Sequence, residues 1–324
     1  MGCFWGRESK GSRVFRKLAI WALVKARPLG QNGRVNRLFG LCLIFAATAS
    51  AAEVMQVTWP TQHGSPPASV SGQAGQFMPA FRTALKNLPE GMIVSLALSQ
   101  PAMLGLTAEH AKTLQPLVAE RYKAIAADKV YRSAPSALSY CFSPFKAEQG
   151  LANVHVPDSL GLQTPVMVFL HGYGGSFLWY QHFLAEHFPK HLIICPAYGI
   201  TPSIMPAAYV TECLAAVEKK LGKPLAAKPW LLGLSAGGFG ACRVYTDVPN
   251  RFTGMICLAA YPLSRQDGKT NAHFIAGGDE FFVKNGQFQR LVGPAKHFIV
   301  PAAGHFFLLT HEEASIAKLR EWMK

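Results

Sequence analysis

The chain has 324 residues, half of them hydrophobic and 15% charged, with a formal net charge of +14. That composition excludes a disordered polymer and leaves ample apolar material for a core. The basic excess is local: residues 1–37 carry nine Lys or Arg against the single acid Glu8, a net of +8, which leaves +6 for the other 287 positions. A nucleic-acid-binding surface needs clustered charge on the folded part, so it loses its main support.

Behind the basic stretch runs an apolar segment, Leu38 to Ala47, and then Thr48-Ala49-Ser50-Ala51-Ala52-Glu53, with small residues suited to cleavage after Ala51. This is the pattern of a secretory signal peptide over residues 1–52, and it places the mature chain in the periplasm or outside the cell. The apolar run is shorter than the about 20 residues that a spanning helix needs, so no stable membrane span is expected. The basic region is long for a leader, and a start at Val35 gives a compact one, so the N-terminus reads as overextended. Five cysteines follow the leader (Cys141, Cys195, Cys213, Cys242 and Cys257), and an odd number forbids a fully paired disulfide framework. No Cys-x-x-Cys pair occurs at metal-ligand spacing, and no metal and no cofactor is implied.

Residues 53–75 are rich in Gly, Ser, Pro and Gln and read as a linker. Two helical segments follow, one through Phe77, Phe81, Leu85 and Leu88, the other through Leu114, Leu117, Val118, Tyr122 and Ile125, with Thr107 as its cap. Residues 53–137 thus form a linker and helical N-terminal extension ahead of a domain spanning 138–324. From residue 138 short β-type runs alternate with helical ones: Leu138–Phe142, Ala152–Val156, Val166–Leu170, His191–Cys195, Trp230–Leu234, Met255–Ala260, His273–Ala276 and His297–Val300. Helical segments fall near 178–188, 207–221, 238–247 and 313–323. Nearly continuous apolar strands between helices indicate an α/β fold with a mostly parallel, eight-stranded sheet covered on both faces and an antiparallel edge at its start.

The motif that carries chemistry is Gly233-Leu234-Ser235-Ala236-Gly237, a G-x-S-x-G placed between a strand and a helix. A serine projecting from so sharp a turn needs neighbours without side chains two residues to either side, and Gly233 and Gly237 supply them. Upstream, Val166-Met167-Val168-Phe169-Leu170-His171-Gly172-Tyr173-Gly174-Gly175 is a strand ending in a glycine loop. Downstream, Phe274-Ile275-Ala276-Gly277-Gly278-Asp279-Glu280 places acids at a glycine turn, and Pro301-Ala302-Ala303-Gly304-His305 places a histidine after the last strand.

These elements, in this order, resemble the α/β-hydrolase superfamily from about residue 138 to the C-terminus. The resemblance implies Ser235 as nucleophile, His305 as base and Asp279 as the acid that orients it, with Glu280 as the adjacent alternative. It implies an oxyanion hole made of the backbone N–H groups of Tyr173 and Ala236, with Gly172 in the loop and His171 supporting it. His311 reads as a solvated helix-start residue, and His63, His110 and His155 as structural. Phe177, Trp179, Tyr180, Phe281, Phe282, Phe306 and Phe307 flank these motifs and either line a pocket or pack the core. The short polar stretch between Ala260 and His273 leaves no room for a large lid.

The looser similarity is to secreted esterases of the feruloyl esterase and polyhydroxyalkanoate-depolymerase kind. It implies a serine hydrolase that cleaves small-molecule or polymer-linked carboxylic esters through an acyl-enzyme. A serine peptidase related to prolyl oligopeptidases would share the motifs, and a binding protein that kept the hydrolase shell without the chemistry is the alternative of another class.

Overall fold

The computed structural model describes residues 51–69, 73–101 and 106–324. All but the last two residues of the expected leader lie outside the described residues. Eight strands form one sheet: β1 (Glu53–Pro60), β2 (Gln149–Val156), β3 (Val166–Leu170), β4 (Leu192–Ala197), β5 (Trp230–Leu234), β6 (Gly254–Leu258), β7 (Ala272–Gly277) and β8 (Lys296–Val300). Their order is β1-β2-β4-β3-β5-β6-β7-β8. β1 and β2 are antiparallel to each other and β2 is antiparallel to β4, whereas β3 to β8 run parallel.

The strands that sit inside the sheet are apolar on both sides because both sides are covered. All five residues of β3, Val-Met-Val-Phe-Leu, are buried, and so are the five of β6. On one face α6 (Ala207–Leu221), α7 (Ala236–Asp247) and α9 (Gln287–Val292) contribute Tyr209, Val210, Ala241, Val244 and Phe288 to a core shared with Val154, Val168 and Phe274. On the other, α3 (Ala108–Ala127), α5 (Leu178–His187) and α11 (Glu312–Trp322) bring Leu114, Phe183 and Leu319 against Phe169, Ile193 and Leu232. Thr107 caps α3 as its position implies, its hydroxyl accepting from the His110 N–H at 3.1 Å. Among the described residues no helix is long and apolar enough to cross a membrane.

The sheet has the expected eight strands, but one of them is not where the sequence pattern put it. Leu138–Phe142 is not a strand: Leu138–Cys141 forms a single helical turn, α4, because Ser136 accepts the Leu138 N–H and starts a turn that buries Leu138 and Cys141. The missing strand is β1, inside the segment read as linker. Its Val57 and Trp59 alternate inward, and Trp59 lies directly across from Gly150 of β2, where no side chain competes for the space. The Trp59 ring also packs 5.1 Å from Tyr209 of α6. The sheet therefore begins at Glu53, and the segment before residue 138 is part of the same core. Two further helices precede α3, α1 (Gln73–Asn87) and α2 (Glu90–Leu98), the second unmarked by any apolar spacing because it is apolar nearly all round.

If β1 is a structural strand, removing its anchor must cost what a core truncation costs. Trp59→Ala is expected to destabilise the chain by about 3–5 kcal/mol in urea unfolding. A loss below about 0.5 kcal/mol, the range of an exposed substitution, would show β1 to be dispensable.

Candidate active site

The parallel strands end along one edge of the sheet, and three of those ends carry the candidate residues. Ser235 follows β5 and precedes α7 with φ 55° and ψ −117°, a conformation few side-chain-bearing residues adopt. The turn is fixed by the Ser235 N–H donating to the Leu258 carbonyl at 2.7 Å, and by the Ser235 carbonyl accepting from Gly238 at 2.8 Å. Both glycines of the motif are sterically required. A Cβ on Gly233 would stand 2.1 Å from the Gly237 carbonyl oxygen, and one on Gly237 would stand 2.2 Å from that of Leu170. Helix α7 can thus press against the end of β3, where the glycine loop begins.

Ser235 Oγ lies 2.8 Å from His305 Nε2, and His305 Nδ1 lies 2.7 Å from a carboxylate oxygen. That carboxylate belongs to Glu280. The expectation of Asp279 is corrected here, and the turn explains why. The Asp279 N–H donates to the Ala303 carbonyl at 2.8 Å, and its half-exposed side chain points outward to Lys284 Nζ at 2.9 Å. One residue on, Glu280 is buried; its second oxygen accepts the Gly277 N–H at 3.1 Å, and its longer side chain reaches the imidazole. Since a carboxylate only accepts, the proton on His305 sits at Nδ1 and Nε2 is free to receive one from the serine. The His305 side chain is 40% exposed against 4% for Glu280, so the serine side of the relay is open and the acid side closed.

The loop after β3 is held by His171, which is buried. Its Nε2 accepts the Tyr198 N–H at 3.1 Å, so its proton is at Nδ1, donated to the Gly172 carbonyl at 2.7 Å. In a trans peptide the C=O and the following N–H point opposite ways, so gripping the Gly172 oxygen turns the Tyr173 N–H outward. Among the described residues neither the Tyr173 nor the Ala236 N–H has an acceptor, whereas the Gly174 N–H is taken by Ile200 at 3.0 Å. Gly172 itself lies against the serine, since a Cβ there would stand 3.9 Å from that of Ser235. Two unpaired donors therefore sit next to the hydroxyl.

The surrounding aromatics divide. Trp179, Tyr180 and Phe307 are buried in the core, so packing accounts for them. Phe306 is half-buried and meets the His305 ring edge-on at 5.4 Å, and Phe239, Tyr261 and Phe282 form a row with ring centres 5.0 and 5.1 Å apart. Phe281 is exposed, and Phe177 packs on Leu85 and Ile93 of the N-terminal helices. Between β6 and β7 no helix intervenes, in keeping with the short polar stretch there. The five described cysteines are buried and unpaired, and burial pushes the Cys141 thiol up to about 12. No group of three or more His, Cys, Asp or Glu among the described residues is placed to hold a metal ion.

The family model of the alpha/beta hydrolase fold matches residues 165–298. With the sheet order and the strand-turn-helix at Ser235, this match identifies the fold as an α/β-hydrolase fold. The pimeloyl-[acyl-carrier protein] methyl ester esterase of Aeromonas salmonicida is 27% identical over 166 residues, 50% of this chain and 61% of that one. The biotin biosynthesis bifunctional protein BioHC of Cellvibrio japonicus is 32% identical over 121 residues, 36% of this chain and 21% of that one. The chain thus spans less than two-thirds of the curated relatives it matches. Among solved structures, a predicted CIB-like hydrolase from Thermoplasma acidophilum superposes with a TM-score of 0.44 at 14% identity, covering 54% of this chain and 92% of its own. Naproxen esterase from Bacillus subtilis does so with a TM-score of 0.41 at 14% identity, covering 54% and 88%.

Burial also sets a pH response. Desolvation lowers the pKa of His171 from the usual 6.5 to about 4, so the folded loop holds a neutral imidazole. Between those values the unfolded chain binds a proton that the folded one refuses, so stability is full above about pH 6.5 and falls as pH drops toward 4. His273, lowered to about 4 mainly by burial, shares the window. Unfolding midpoints in urea across that range should decline for the wild type and decline less for His171→Asn; identical slopes would contradict the assignment.

Proposed function

We propose that this chain is a serine hydrolase that cleaves carboxylic esters through an acyl-enzyme, with Ser235 as nucleophile, His305 as base and Glu280 as the acid. The observation that carries the proposal is the continuous hydrogen-bonded relay from Ser235 Oγ through His305 to a buried carboxylate, set beside two unpaired backbone N–H groups. In the first half-reaction His305 Nε2 takes the serine proton as Oγ attacks the ester carbonyl carbon. The carbonyl oxygen becomes negative and is met by the Tyr173 and Ala236 N–H groups, whose placement ahead of the reaction removes the cost of reorienting solvent. The imidazolium then gives its proton to the alcohol oxygen as the carbon–oxygen bond breaks, leaving an acyl-serine. Water repeats the sequence and releases the acid. Throughout, Glu280 accepts the Nδ1–H, which fixes the tautomer and offsets the positive charge on the ring.

The ester preference is supported by the methyl ester esterase among the relatives and by the half-buried Phe306 ring beside His305, which suits an apolar acyl or alcohol group better than a charged one. The leader pattern of residues 1–52 supports export of the mature chain.

Reaction with a fluorophosphonate, which modifies only an activated serine, tests the assignment. The wild type should label and Ser235→Ala should not. Glu280→Gln, which removes the acceptor for the Nδ1–H, should slow labelling by about 10³-fold or more. Asp279→Asn removes a surface ion pair of little energetic weight and should stay within about twofold of wild type. Equal labelling of wild type and Ser235→Ala, or a larger loss in Asp279→Asn than in Glu280→Gln, would defeat it. A panel of acetyl, butyryl, feruloyl and peptide chromogenic substrates then separates esterase from peptidase.

A further inference from the structure

Among the described residues only two carboxylates are buried, Glu280 of the relay and Glu90. Glu90 opens α2 in the N-terminal helical segment, far in sequence from the motifs, yet the Leu178 N–H donates to its Oε1 at 2.6 Å. Tyr122 of α3 donates to the same oxygen at 2.6 Å, and the Ser136 hydroxyl donates to Oε2. Burial pushes the Glu90 pKa up and these three hydrogen bonds pull it back. A carboxylate withdrawn from water to this extent is costly unless its partners are all in place, so the three segments it joins are held in one arrangement.

Leu178 is the first residue after the glycine loop, and its N–H, which has no partner within its own ten-residue helix, stands at a helix start, where negative charge is favoured. The loop from His171 to Phe177 is thus held at three points. His171 grips its first carbonyl, Ile200 takes the Gly174 N–H in its middle, and Glu90 fixes its end. Phe177 at that end is packed against Leu85, Ile93 and Leu138, so α1 and α2 grip the same segment through apolar contact. The first turn of α5 then returns to the site: the Tyr180 hydroxyl stands 3.3 Å from where a Cβ on Gly172 would lie.

We propose that Glu90 is a positioning residue for the oxyanion loop, and that the helices of residues 73–127 serve the site through it by fixing the Gly172–Tyr173 peptide. The proposal rests on the hydrolase assignment for its effect on rate, but not for its effect on the loop.

The test compares wild type, Glu90→Ala, Glu90→Gln and a control, Leu114→Ala, which removes a core side chain of α3 that is 4% exposed. Two quantities are read: hydrogen exchange of the peptide covering residues 172–180 against that covering 230–236, and kcat and KM for p-nitrophenyl acetate. Glu90→Ala should speed exchange in 172–180 by about tenfold while 230–236 is unchanged. Its kcat should fall by about 10- to 100-fold, as a misplaced donor requires, with KM within about threefold. Glu90→Gln keeps the shape and one oxygen, so it should fold and show smaller changes of the same sign. Leu114→Ala should lower stability without selective exchange in the loop. Unchanged loop exchange in both Glu90 variants, or a kcat loss no greater than that of Leu114→Ala, overturns the proposal. A wild type that turns over no ester counts against the hydrolase assignment alone, and the exchange measurement then decides the role of Glu90 by itself.

Discussion

Everything in the site hangs on the turn at Ser235. A strand must end, reverse into a helix within one residue and leave a hydroxyl projecting, and the residue that does so takes a positive φ that costs of order 1–3 kcal/mol. The strain is sustained because the turn is over-determined. The Ser235 N–H is tied to β6, its carbonyl to α7, and two carbonyl oxygens, those of Gly237 and Leu170, occupy the space that side chains at positions 233 and 237 would need. That close approach brings α7 against the end of β3. The start of the glycine loop and the Ala236 N–H thereby come to the same place as the Ser235 hydroxyl, and one steric constraint brings together the hydroxyl and the backbone donors of the proposed site.

The parts around this turn are held by charge and burial rather than by bulk. His171 works because it is kept neutral: an imidazole that accepts from one backbone group and donates to another cannot also be protonated. Glu280 works because it is enclosed, with one oxygen given to the Gly277 N–H and the other to His305. The N-terminal part belongs to this same assembly, since β1 completes the sheet edge and Glu90 reaches the far end of the loop. A chain cut at residue 138 would lose a sheet strand and a loop anchor together.

Much of this was legible in the sequence. Seven of the eight strands, the four helices near 178–188, 207–221, 238–247 and 313–323, the Thr107 cap, the serine turn and the histidine after the last strand all announce themselves through periodicity or through glycines with a steric task. The failures have physical causes. β1 is eight residues of alternating pattern in front of a Gly, Ser and Pro-rich stretch, and the surrounding composition masked it. Leu138–Phe142 reads as a strand because a short, mostly apolar run of five residues fits either structure, and the deciding group, the Ser136 hydroxyl, lies outside the run. Asp279 and Glu280 are adjacent acids at one turn, and only the direction in which that turn sends each side chain separates them. Tyr198 and Glu90 carry no signal at all, because each acts through a partner distant in sequence.

The proposed chemistry requires that Ser235 form a covalent bond to the acyl group and that His305 help both to make and to break it. Intact-mass analysis of the protein quenched during turnover of p-nitrophenyl acetate, followed by peptide mapping, addresses it most directly. The expected result is the added mass of one acetyl group, carried on the peptide that contains Ser235 and absent in Ser235→Ala. Turnover at the wild-type rate in Ser235→Ala, or an acetyl group carried by any other residue on the reaction path, would contradict it.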